Sequence, residues 1–251
     1  MNKEEFLELK ENLTNVVIEY ELLQRKATFL NNSYLLEFHD ELSAQRYLHY
    51  ENQYLTSAIV MKNDGKSDAE IKEFLDNCQK EFKNIINNFE FQYRTAKELE
   101  KKCSKYTLAD MQALDFEMID YIKLYHPVIK FHSTNNEKNI YNMLINMYRF
   151  GNISGFRTLL NNNKDNLKAA TISEEDYDSA AHYYNLSLKN ISSLLYKLKN
   201  EFPLNNEELF KDEKKLNDEN FILRQKNNEL RTINKKIHKD FVINFNFDFE
   251  L

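Results

Sequence analysis

His126 and His132 stand six residues apart around Pro127, in a stretch where a loop between helices is expected. Two imidazoles across such a loop can converge on a metal ion, but a zinc site needs three or four ligands. No cysteine or carboxylate at ligand spacing completes the set, so loop polarity is the reading and no metal is expected. His39 and His49 lie ten residues apart on an expected helix, and so not in neighbouring turns. Cys78 and Cys103 are 25 residues apart, form no metal or redox motif, and fall on an apolar helical stripe, which predicts buried free thiols. Gly151 and Gly155 lack the strand context of a dinucleotide fingerprint, and helix termination with tight packing accounts for them. No nucleophile elbow, phosphate loop or isolated carboxylate pair occurs. The chain reads as non-enzymatic, with no catalytic residue, cofactor or metal expected.

Partners are narrowed by composition. Fifteen Tyr and eighteen Phe offer stacking surfaces, yet most lie on apolar helical stripes and no basic cluster accompanies them, so nucleic acid is not expected. The net charge of −6, with both signs interspersed, gives no general attraction to nucleic acid or an anionic membrane. The first residues, MNKEEFLELK, hold no apolar signal core, and no stretch approaches the ~18 apolar residues of a membrane span. A cytoplasmic location without membrane contact is the expectation.

The elements that must position these residues are helices. Three Gly, two Pro and no Trp in 251 residues leave too few turn residues for a sheet protein. Phe6, Leu9, Leu13, Val16, Tyr20, Leu23, Ala27, Leu30 and Tyr34 alternate steps of three and four, the pattern of a seam facing a partner helix. The pattern then turns ragged up to about Lys62, and a break is expected near Asn31-Asn32-Ser33. Asn63-Asp64-Gly65 is a turn, and Ser67 with Glu70 forms a capping box. A second heptad helix carries Ile71, Leu75, Cys78, Phe82, Ile85, Phe89, Ala96 and Cys103. Residues 1–104 are thus expected as a helical hairpin, with pairing of its first helix to another chain as the alternative.

Between 105 and 165 a small helical module is expected. Thr107 and Asp110 start its first helix, and Pro127 ends it near Tyr125, because the residue before a proline is pushed out of the α region. A second helix begins near Asn136 and ends at Gly151-Asn152, followed by a short helix with Ile153, Phe156, Leu159 and Leu160. Thr171 and Glu174 form another capping pattern, and residues 171–240 read as a helical pair broken at Phe202-Pro203. The last helix, from about Asn206, carries Leu209, Leu216, Leu223, Leu230 and Ile237 at intervals of seven. Asn220, Asn227 and Asn234 fill the accompanying positions, a thin seam that fixes register at a cost in stability. Residues 241–251 alternate strictly, which is a strand signal.

Helix, His-Pro, loop, helix and short helix is the layout of a J domain. The stretch IYNMLINMYRFGN followed by ISGFRTLL resembles the helix after the loop in bacterial J-domain-like proteins. EFPLNNEELFKDEKKL resembles the continuation of the chain in their coiled-coil members. That resemblance implies a His-Pro-Asp tripeptide engaging an Hsp70 partner, aided by a basic face on the preceding helix. Here His126 and Pro127 match, but Val128 replaces the aspartate, and Asp115, Glu117 and Asp120 stand against Lys123 alone. The resemblance therefore implies a shared fold more than a retained co-chaperone activity.

The expectation is an all-α protein: long helical hairpins or coiled coil flanking a small, degenerate J-domain-like module. Its function would be protein interaction, with a chaperone-linked or Hsp70-related partner, without Hsp70 stimulation. His126, Pro127, Val128, Leu209, Leu216, Leu223 and Leu230 are the candidate partner-binding residues. Homo-oligomerisation through the heptad helices and a purely structural spacer role are the alternatives.

Overall fold

The computed structural model describes residues 1–163, 172–245, 247, 249 and 251. These form seven α-helices: α1 (Lys3–Asn63), α2 (Asp68–Cys103), α3 (Leu108–Tyr125), α4 (Asn135–Arg149), α5 (Ile153–Asn162), α6 (Tyr177–Asn200) and α7 (Glu213–Asn244). Short 3₁₀ helices precede α6 and α7, at Glu174–Asp176 and Leu204–Lys211. No strand occurs among the described residues. None of the helices found there is long and apolar enough to cross a membrane.

Capping chemistry sets several boundaries where the sequence places them. Ser67 and Glu70 bond reciprocally before α2. Thr107 and Asp110 close a full capping box on α3, and Thr134 and Glu137 close another on α4. The α3 helix ends at Tyr125, and His126 takes an extended conformation before Pro127. Gly151, at φ +62°, ends α4 at a point where a Cβ would run into Cys103, Phe29 and Met111. The Thr171 cap lies outside the described residues.

Other boundaries differ from expectation. No break occurs at Asn31-Asn32-Ser33; the helix instead kinks at Phe38 (φ −113°, ψ 16°), whose side chain is buried. The last α-helix begins at Glu213 rather than Asn206, because Asp212 caps it by accepting from the Lys214 amide. Leu209 therefore sits in the preceding 3₁₀ helix and not on the α7 row. Among the described residues of 241–251 the expected strand does not form, since α7 runs on to Asn244. Phe241 and Phe245 stack one turn apart at 4.4 Å, which favours helix, and no neighbouring strand offers a ladder.

The chain divides into two compact units, Met1–Asn31 with Glu98–Glu207, and Asn32–Lys97 with Glu208–Leu251. This differs from the sequential division into 1–104, 105–165, 171–240 and 241–251. The physical reason is length. The α1 helix has 61 residues and α2 only 36, so α2 leaves much of α1 for other helices to cover.

In the first unit α3 and α4 form an antiparallel pair on the first half of α1. Leu13, Val17, Leu114, Met118, Ile122, Leu144, Tyr148 and Phe156 lie at the centre of its core. Running parallel to α1, α6 stacks Tyr177 on Phe6 at 4.3 Å. In the second unit α2 folds back on α1, with Tyr47 edge-on to Phe82 and His39 stacked on Tyr93 at 3.6 Å. The third helix of that bundle is α7, parallel to α1. Its contacts advance together: Tyr34 with Glu219, Glu41 with Asn227, Glu51 with Asn234. Phe241 and Phe245 join Tyr54, Leu55, Ala58, Ile71, Leu75 and Phe82 in the core, and Phe247, Phe249 and Leu251 pack partly buried against it.

Candidate functional site

The His126-Pro127-Val128 turn joins α3 to α4. His126 is only 6% exposed, while Pro127 and Val128 are half-buried. The His126 Nδ1 accepts the Val128 amide at 3.1 Å, so in that contact Nδ1 carries no proton. The ring meets Tyr141 edge-on at 4.6 Å. Burial, with the Arg149 charge adding to it, pushes the His126 pKa down to about 3. The imidazole is a neutral strut of the turn, and Val128 contributes its backbone amide and an apolar side chain.

Several groups hold the turn in place. The Ile129 and Lys130 amides donate to the His126 carbonyl at 2.9 and 2.8 Å. The Tyr184 hydroxyl of α6 donates to the Ile129 carbonyl. Lys130 pairs with Glu137, the capping residue of α4. Burial alone would raise the Glu137 pKa, but the Lys130 and Thr134 donors outweigh it and hold the carboxylate below its usual range. His132 is exposed, so the two histidines of the loop occupy different environments. No group of three or more metal-ligating side chains occurs among the described residues.

Between α1 and the α3–α4 pair lie two charged braces that the sequence pattern did not single out. Glu21 and Arg25, 5% and 6% exposed, follow Leu13 and Val17 at intervals of four on α1. Glu21 accepts the Tyr141 hydroxyl at 3.1 Å and the Arg149 guanidinium at 2.7 and 3.2 Å. Arg25 pairs with Asp115, donates to the Met111 carbonyl and lies 4.8 Å over the Tyr148 ring. The Tyr148 hydroxyl closes the second brace on Asp115 at 2.7 Å. The apolar seam expected through Val16, Tyr20 and Leu23 is half-buried, and the deepest row lies one residue on. The signal that could have found it is the unbroken four-residue spacing Leu13, Val17, Glu21, Arg25.

Away from this core, α3 presents Leu108, Phe116 and Leu124 at 75, 69 and 47% exposure. They lie on the half of the helix turned away from Leu114, Met118, Tyr121 and Ile122. Asp115, one of the acids of the expected acidic face, is paired with the buried Arg25, and Glu117 is paired with Arg157 on α5 at 2.6 Å.

The leucine row of α7 is placed by the second unit. Leu223 is buried, Leu216 and Leu230 are half-buried, and Leu209, in the 3₁₀ helix before α7, is half-buried too. The asparagines between them face α1. Asn227 donates to the Glu41 carbonyl and carboxylate at 3.0 and 2.8 Å, and Asn234 donates to Glu51 at 2.8 Å. Arg224 and His238 pair with the same two glutamates. The amide oxygens of Asn52, Asn220 and Asn227 are buried without a partner among the described residues, which is the cost of so polar a seam. Cys78 is buried, whereas Cys103 is half-buried beside Gly151, so only the first matches the expected environment fully.

No family model, curated protein or solved structure matches the chain.

Proposed function

We propose that the chain is a non-enzymatic protein-interaction protein whose α3–α4 module is a J-like helical hairpin without Hsp70-stimulating activity. The observation that carries this reading is the outward half of α3. Leu108, Phe116 and Leu124 expose large apolar side chains there, about 12 Å apart along the helix, and these are available for contact with a protein partner. In the resemblance, the corresponding helix offers a basic face and the turn offers an acid. Here the helix offers apolar side chains, Val128 stands in place of the acid, and His126 is sealed beneath the turn. A chaperone-linked partner would dock on α3 by apolar contact rather than by reading the tripeptide.

The alternative of a purely structural coiled-coil spacer has less support. Leu223 and Asn227 are buried within their own chain, so pairing α7 with a second copy would first have to expose them. The test is capture from the source cell with and without nucleotide, probed for Hsp70, using the wild-type chain and Phe116→Glu. Recovery of a partner that is lost in Phe116→Glu supports the reading. Equal recovery by both proteins contradicts the role given to α3.

A further inference from the structure

A groove of about 640 Å³ runs between the second half of α1 and α7, both parts of the same compact unit. Its apolar wall includes Leu42, Leu230 and Ile233, and its polar lining includes Arg46, His49, Lys226 and Glu229. The volume falls within the about 300–1,000 Å³ typical of small-molecule sites. From Leu42 to Tyr50 the groove follows α1 for about 12 Å at the rise of an α-helix, the reach of a medium-length alkyl chain.

The charge in this groove is unbalanced. Arg46 is half-buried, lies 4.0 Å over the Phe89 ring and donates to the Leu42 carbonyl at 3.3 Å. Neither Arg46 nor Lys226 forms an ion pair with any carboxylate among the described residues. Two permanent cations and an imidazole thus face one carboxylate, Glu229, on a chain whose net charge is −6. Burial of a guanidinium without a counter-charge is unfavourable, and it holds the Arg46 pKa below its usual value. An anion arriving in the groove relieves that imbalance, and an apolar chain attached to it covers the leucine and isoleucine wall.

We propose that this groove binds an amphiphilic carboxylate, with its head group between Arg46 and Lys226 and its alkyl chain along Leu42, Leu230 and Ile233. The binding is reversible and involves no covalent step. It is independent of the partner surface on α3, which is built from other residues in the other unit.

The experiment uses the full chain and decanoate below its micelle concentration, with decanol and decyltrimethylammonium as neutral and cationic counterparts. Calorimetry reads affinity, and the His49 imidazole resonances report occupancy of this groove. Decanoate is expected to bind and to shift His49, with decanol weaker by about tenfold or more, equivalent to about 1.4 kcal/mol, and the cation weaker still. Lys226→Glu, an exposed change, is expected to weaken decanoate by about tenfold while thermal unfolding stays unchanged. Arg46→Gln is the second variant, with its folding checked separately because Arg46 also covers Phe89. The proposal is overturned if decanoate does not bind, if decanol binds equally well, if His49 does not respond, or if Lys226→Glu retains full affinity.

Discussion

The Glu21 carboxylate takes the Tyr141 hydroxyl on one oxygen at 3.1 Å and the Arg149 guanidinium on the other at 2.7 Å. It thereby ties α1 to α4 from inside the core. Removing one partner of a buried pair strands the other, which costs more than the pair itself contributes. Glu21→Ala is expected to destabilise the protein by about 3 kcal/mol, the low end for a buried pair because Arg149 is partly reachable by water. Arg149→Met in the same chain should recover part of that loss. Urea unfolding of the wild type, the two single variants and the double variant measures the coupling, and strictly additive losses would show that the pair does not act as one.

His126 gives the protein a pH dependence of defined sign. The unfolded residue titrates near 6.5 and the folded one near 3. Between those values only the unfolded chain binds this proton. The stability contributed by the neutral ring is complete above about pH 6.5 and is lost as pH falls, by up to about 1.4 kcal/mol per pH unit. Asn at position 126 can keep an acceptor for the Val128 amide but cannot titrate. The stability of His126→Asn should fall less steeply than wild type between pH 6.5 and 4, and parallel curves would mean that the ring is solvated when folded.

Gly151 and Gly65 both have positive φ, at +62° and +81°, but their surroundings differ. A Cβ at 151 would meet Cys103 Sγ at 3.0 Å, the Phe29 ring at 3.1 Å and Met111 Cε at 3.2 Å, whereas a Cβ at 65 meets nothing within 4 Å. Gly65→Ala is expected to cost about 1 kcal/mol, the backbone strain alone. Gly151→Ala adds crowding and should cost about 1–3 kcal/mol more. Chemical denaturation ranks the two, and equal losses would remove the close packing at the end of α4.

Phe241 is fully buried in the core that α7 shares with α1 and α2. Phe241→Ala should cost about 3–5 kcal/mol, as for other large-to-small changes in a core. Loss of α7 protection in hydrogen exchange should accompany it. A stable variant with α7 still protected would show that the polar contacts to Glu41 and Glu51 hold the helix without the aromatic anchor.

Where the local chemistry is complete, the sequence is legible. Thr107 with Asp110, Ser67 with Glu70, and Pro127 after His126 mark helix ends that the structure reproduces, because each cap is made by residues within a turn of one another. Features decided at longer range are not legible in the same way. Glu21 and Arg25 look like surface charges until Arg149, Tyr141 and Asp115 arrive from other helices. The alternating Phe245, Phe247, Phe249 and Leu251 read as strand, yet a strand needs an edge, and the neighbouring elements are helices. The Leu-Asn pattern of α7 suggests a partner helix, but nothing in it shows that Glu41 and Glu51 of the same chain accept from the Asn227 and Asn234 side-chain amides.

The most direct test is the steady-state ATPase of the cognate Hsp70 in the presence of the full chain. On the proposed J-like reading, in which Val128 stands at the position of the acid, and with His126 neutral and enclosed, the rate should stay at its basal value, and His126→Gln should leave it there. Stimulation by the wild-type chain that disappears in His126→Gln would contradict the account, because it would require the enclosed His126 to act directly on the partner.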